Sequence, residues 1–224
     1  MPEHVHVHAP HELHEASEAV SSRERIFEIV AALLLSIATI GVAWSGYQAA
    51  RWSGLQARRY TQASAARSLA NRAATLAAQE RLQDLLNFNR WLEVSTNGNA
   101  ELTSLYERRF RAEFRPAFEA WRAQDPLHNP KVVASPLRMR EYHPADVARS
   151  DRLEVVAAEL FVQGKEATEN ADDYVFITVF FAAVMFFAGI SLRFAWLGLR
   201  GVVLMLGTLF LVYGLVRLAL LPTL

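Results

Sequence analysis

The chain has 224 residues, 52% of them apolar, with 23 basic and 23 acidic residues and a formal net charge of zero. That balance excludes a globally basic nucleic-acid surface. The lack of cysteine excludes disulfides, thiolate catalysis and cysteine-ligated zinc or iron–sulfur centres.

Residues 1–22 are polar and carry His4, His6, His8, His11 and His14 around Pro10. The composition predicts a disordered, His-rich cytoplasmic tail. Neutral imidazoles suit zinc, nickel or copper, so the tract is a weak candidate for divalent metal, and a solvated tail that binds nothing specific is the alternative. A cleaved leader is not expected, because no basic segment leads directly into a short apolar core.

The first membrane span is read at 23–50, since Ile29 to Ala50 carries no formal charge and about 20 apolar residues cross the hydrocarbon. Glu28 lies just inside it as an intramembrane acid. Such residues are functional candidates by default, although Glu28 could also pair with Arg25, Arg193 or Arg200. At the far end of the span an eight-residue phrase is repeated, WSGYQAAR then WSGLQARR, over Trp44–Arg59. Gly46, Ala50 and Gly54 fall at four-residue steps, with Ser45, Ala49, Ser53 and Ala57 on an adjacent line. Small residues at this spacing let helices touch backbone to backbone in lipid. Trp44 and Trp52 differ by about 80° around the helix, so the two copies serve different faces. The candidate packing or interface residues are therefore Trp44, Gly46, Ala50, Trp52 and Gly54, with an interfacial aromatic belt as the alternative role of the tryptophans.

No proline occurs between Pro10 and Pro116, and no glycine between Gly54 and Gly98. The first helix is therefore predicted to leave the membrane and continue to about Thr96, where Ser95-Thr96-Asn97-Gly98-Asn99 stops it. Ala63, Ala66, Ala70, Ala73 and Ala77 form a small-residue stripe along it. A second helix should start after Asn99 and carry Leu102, Tyr106, Phe110, Phe114, Phe118 and Trp121 on one side, with Pro116 kinking or ending it. The proline-bearing stretch Asp125 to Tyr142 reads as an irregular connection. A third helix then starts at Pro144 and runs into the second span, 173–193, followed by a cytoplasmic turn at 194–200 and a third span at 201–221.

Arg23 and Arg25 before the first span, and Arg193 and Arg200 around the turn, put those ends in the cytoplasm. Residues 51–172 would then lie outside it. Helix lengths at 1.5 Å per residue match an antiparallel stalk continuous with the first and second spans: the first helix rises about 70 Å, the second descends about 36 Å, and the third begins about 42 Å up. Arg217 falls level with Asp172 and Asp173, which suggests a structural ion pair.

The fold class is thus an all-α membrane protein, three spans with a long extracytoplasmic antiparallel helical stalk. No HExxH, phosphate-binding glycine loop or GxSxG elbow occurs, and pairing His128 with Asp125, or His143 with Glu141, supplies no nucleophile. The expectation is a non-enzymatic, oligomeric protein, without cofactor or nucleic acid, that scaffolds or docks a protein partner outside the cytoplasm. The alternative is a channel, transporter component or membrane sensor. The pattern has the general look of a bacterial inner-membrane protein with its N-terminus inside.

Overall fold

The computed structural model describes residues 10–126 and 128–224, with side chains from Ser22 onward. Among these residues the chain forms α1 (Pro10–Thr96), α2 (Ala100–Arg109), α3 (Arg115–Arg122), a short 3-10 turn (Pro136–Arg138), α4 (Ala145–Ser191) and α5 (Leu197–Leu220), with no strand. Three of these helices, α1, α4 and α5, are long and apolar enough to cross a membrane, as expected of an integral membrane protein.

The element boundaries differ from the sequence reading in two places. α1 begins at Pro10, inside the segment read as disordered; proline in a first helical turn forfeits no hydrogen bond, because the N–H groups there have no intrahelical partner. α4 ends at Ser191 and α5 begins at Leu197, so residues 192–196 connect the two helices. The helix expected after Asn99 is two helices. α2 stops at Arg109 and Phe110 turns extended (φ −61°, ψ 135°). Arg115 then reaches back to donate to the Phe110 and Arg108 carbonyls, which satisfies acceptors that the broken helix leaves open. Pro116 starts α3 rather than kinking a longer helix.

Other signals hold. Gly98 takes φ +77°, and Asn99 caps α2 by accepting from the Leu102 N–H at 3.1 Å. Pro144 directly precedes α4, and its carbonyl accepts from the Val147 N–H at 3.2 Å.

The chain divides into two compact units, residues 1–57 with 164–224, and residues 58–163; α1 and α4 contribute to both. In the first unit the core joins Ala31, Leu34 and Ala38 of α1, Ile177, Phe181, Val184 and Ala188 of α4, and Leu204 and Leu211 of α5. The stripe on α1 continues through Gly41, Ser45 and Gln48, all buried, at alternating three- and four-residue steps. Close approach explains the glycine: a Cβ on Gly41 would lie 2.7 Å from the ring of Phe181, and one on Gly214 would lie 3.1 Å from the same ring. The ring is fully buried between them.

In the second unit the core is aromatic. Phe88 and Trp91 of α1 pack with Phe110, Phe114, Phe118, Trp121 and Leu137. Edge-to-face pairs dominate, such as Trp91–Phe118 at 4.7 Å and Phe88–Trp121 at 5.1 Å between centroids. Away from this cluster, α1 and α4 meet through small residues, with Ala63, Ala66, Ala70, Ala73, Ala77 and Ala157 buried. The Ser150 hydroxyl donates to the Ala70 carbonyl at 3.1 Å, and the rings of Tyr60 and Phe161 lie 5.4 Å apart.

These contacts separate two glycine positions. Gly41→Ala should lower stability in detergent by about 1–3 kcal/mol, because Phe181 has no room to retreat. Gly46→Ala, whose Cβ would meet nothing within 4 Å, should leave the thermal unfolding midpoint unchanged.

Candidate functional site

Polar chemistry in the second unit converges on Arg111, in the connection between α2 and α3. Its Nη2 lies 2.7 Å from Glu80 Oε2 and 2.7 Å from Glu113 Oε2, and its Nη1 lies 3.1 Å from Asp84 Oδ2. Asp84 is fully buried on the core-facing side of α1, at the heptad position of Ala70, Ala77 and Trp91. The Tyr142 hydroxyl donates to Asp84 Oδ2 at 3.0 Å, and Asp84 Oδ1 has no hydrogen-bond partner among the described residues. Glu113 Oε1 in turn accepts from the Ala145 N–H at 3.3 Å, which sets a carboxylate on the positive end of α4. Four segments are joined: α1, the α2–α3 connection, the strand-free loop carrying Tyr142, and the start of α4.

Burial pushes the Asp84 carboxyl above its usual range, against the opposing hydrogen bond from Tyr142 and the charge of Arg111. Burial also pushes the Tyr142 phenol up, and the Asp84 charge adds to that, so the phenol remains protonated and serves as the donor. The arrangement joins elements; no nucleophile or metal set accompanies it, and among the described residues no group of three or more His, Cys, Asp or Glu could hold a metal ion. His128 Nδ1 does lie 2.9 Å from Asp125 Oδ1, but both side chains are exposed on a loop.

The first unit has its own polar cluster. The Trp52 indole N–H and the Tyr174 hydroxyl both donate to the Pro222 carbonyl, at 3.2 and 3.1 Å. The Leu224 N–H donates to Gln48 Oε1 at 3.2 Å. Gln48 Nε2 and Ser45 Oγ, buried in the α1 stripe, have no hydrogen-bond partner among the described residues. The segment after α5 is thus tied to α1 and α4 by three hydrogen bonds.

The residues singled out in the sequence fall as follows. Trp52 is half-buried and bonded, whereas Trp44 is 45% exposed, beside Tyr47 at 6.0 Å. Gly46 and Ala50 are exposed and Gly54 is half-buried, so the Gly46–Ala50 ridge is not the stripe that packs within the chain. Arg217 Nη2 lies 3.8 Å from Asp173 Oδ1, while Asp172 is exposed. Glu28 lies 3.9 Å from Arg200, whose guanidinium also sits over the Phe27 ring at 5.8 Å. His4, His6 and His8 lie outside the described residues; His11 and His14 fall on α1, outside the described side chains.

Sequence reasoning missed Gln48, Asp84 and Arg111, and gave Ser45 only a packing role. The available signal was periodicity: Ser45 and Gln48 continue the Ala31–Leu34–Ala38 spacing, and Asp84 continues the alanine stripe by sevens. Arg111 carried no such signal, since two of its three partners, Glu80 and Asp84, come from a helix about 30 residues earlier in the chain.

Fold and composition together define a class, an all-helical protein with three candidate membrane-spanning helices. No family model, no curated protein and no solved structure matches the chain.

A raised carboxyl pKa in the folded state means that the folded state binds the proton more tightly than the unfolded one. Asp84 should therefore stabilise the fold increasingly as pH falls from its raised value toward the ordinary 3.8. Unfolding followed by tryptophan near-UV dichroism between pH 7 and pH 4 should show wild type gaining stability relative to Asp84→Asn as pH falls. Arg111→Ala leaves three carboxylates around one another and should cost about 3 kcal/mol in the same assay.

Proposed function

We propose that the chain is a non-enzymatic, oligomeric integral membrane protein whose residues 51–172 form an antiparallel helical stalk outside the cytoplasm that scaffolds or docks a protein partner. The observation that carries this reading is the apolar surface that the second unit leaves open. Leu69, Leu76 and Leu86 of α1 are 44%, 44% and 57% exposed, and Val155 and Val162 of α4 are 58% and 54% exposed. A water-exposed helix pair with this much uncovered aliphatic surface is stabilised by a further helix laid against it.

The antiparallel reading is supported by numbering: Tyr60 meets Phe161 and Ala70 meets Ser150, so one partner rises as the other falls. The orientation is supported by Arg23, Arg25, Arg193 and Arg200 at the ends assigned to the cytoplasm of a bacterial inner membrane.

A second reading, a channel, transporter component or sensor, draws on Ser45 Oγ and Gln48 Nε2, buried and unpartnered within a span. Planar-bilayer conductance that changes with Gln48→Leu or Glu28→Gln would favour it over the scaffold.

Because the chain has no cysteine, a single Thr103→Cys reports the topology directly. A membrane-impermeant maleimide should label it in intact spheroplasts, and labelling only after lysis would reverse the orientation. Native mass spectrometry of the full chain in nanodiscs should show a multimer; a strictly monomeric particle would defeat the oligomeric reading.

A further inference from the structure

In the first unit, the start of α5 holds a cation whose donors are not used. Arg200 is the fourth residue of α5, and its side chain is 9% exposed. Its Nε and Nη2 are buried and have no hydrogen-bond acceptor among the described residues. Within ion-pairing distance the described residues offer it one carboxylate, that of Glu28 on α1. This stands 3.9 Å from Nη2, outside hydrogen-bonding reach, and is itself 63% exposed. The Phe27 ring, 5.8 Å from Cζ, gives the cation an aromatic face but no acceptor. Guanidinium N–H groups taken out of water are costly to leave unbonded, so an acceptor that reaches both is strongly favoured.

The same place is the positive end of a helix. α5 has no acid in its first turn, and Trp196 at its N-cap makes no side-chain capping bond. The N–H groups of Leu197, Gly198 and Leu199 find no acceptor among the described residues. Helical side chains lean toward the N-terminus, so from the fourth position the Arg200 guanidinium lies back beside this turn. A cation is repelled by the positive end of a helix dipole, and an anion placed between them is attracted by both. The level along the helix fits such an anion. At 1.5 Å per residue the 24 residues of α5 cover about 36 Å, against roughly 30 Å of hydrocarbon, so the terminal turns reach the headgroup layer. Trp196, 74% exposed, is a residue type that settles there.

We propose that Arg200 and the first turn of α5 bind a phosphate group, carried by a phospholipid headgroup or present as the free ion. Nε and Nη2 form one edge of the guanidinium, and their parallel N–H bonds match two oxygens of a phosphate. A third oxygen faces the open N–H groups of α5. Basic pockets between membrane helices take phosphate headgroups by this chemistry. Glu28 competes for the same edge, and its mostly exposed carboxylate swings into water when the ligand enters.

The full chain in dodecyl maltoside at low ionic strength is titrated with dioleoyl phosphatidate and, separately, with inorganic phosphate. Native mass spectrometry counts retained lipid, and the thermal unfolding midpoint reports both ligands. One phosphatidate per chain should be held, Arg200→Gln should weaken it at least tenfold, and Glu28→Gln, which removes a like charge, should tighten it about threefold. Inorganic phosphate that displaces phosphatidate shows that the free ion suffices, and phosphatidate binding that phosphate does not displace assigns the site to a headgroup; either result supports it. Binding unchanged in Arg200→Gln, or not tightened in Glu28→Gln, overturns the site, as does the absence of binding by both ligands. Far-UV dichroism checks that each variant folds. If Arg200→Gln loses helix, Glu28→Gln decides alone, since a carboxylate that serves only as a structural partner of Arg200 gives no gain in affinity when it is neutralised.

Discussion

An 87-residue helix is held in one conformation only if a stripe along it stays covered, because helix propensity alone adds little per residue. α1 meets that constraint with a repeat of alternating three- and four-residue steps whose chemistry changes with its surroundings. In the first unit the covered positions are Ala31, Leu34, Ala38, Gly41, Ser45 and Gln48; in the second they are alanines, then Asp84, Phe88 and Trp91. Small residues admit a close neighbour, large aromatic ones reach across to shorter helices, and the same backbone periodicity serves both.

Polar residues inside that stripe locate the places where the fold is joined. Asp84 could have been another alanine by spacing, but its carboxylate collects Arg111 and Tyr142 from distant parts of the chain. Burying a charge is costly unless it is paired, so the cluster is specific more than it is stabilising: it sets where the α2–α3 connection and the start of α4 must sit. Gln48 does the equivalent in the first unit, where its side chain holds the segment after α5 beside Trp52 and Tyr174. A lone hydrogen bond of this kind is worth more in a water-poor setting, where the alternative is an unsatisfied group.

The doubled WSG phrase illustrates how periodicity and sequence similarity diverge. Two identical triplets eight residues apart are turned by about 80° around a helix of 3.6 residues per turn, and the structure uses them differently: Trp44 is exposed beside Tyr47, while Trp52 bonds to the Pro222 carbonyl. The glycine that matters for packing is Gly41, outside the phrase, because Phe181 occupies the space a side chain would need.

The features legible in the residues alone are local or periodic: three apolar helices of membrane-crossing length, the Asn97-Gly98-Asn99 stop, the Asn99 cap, Pro144 just ahead of α4 and the alanine stripe. Each depends on neighbours within a few residues or on a repeat that one helix displays alone. Folding in three dimensions sets the rest: the break between α2 and α3, the burial of Asp84, and the pairing of Glu28 with Arg200 and of Asp173 with Arg217. The break requires Arg115 to reach the Phe110 carbonyl, and the burial requires Tyr142 to arrive from 58 residues away. Neither spacing nor composition encodes a meeting of distant side chains, since the energy that favours it arises only when packing has removed the competing water.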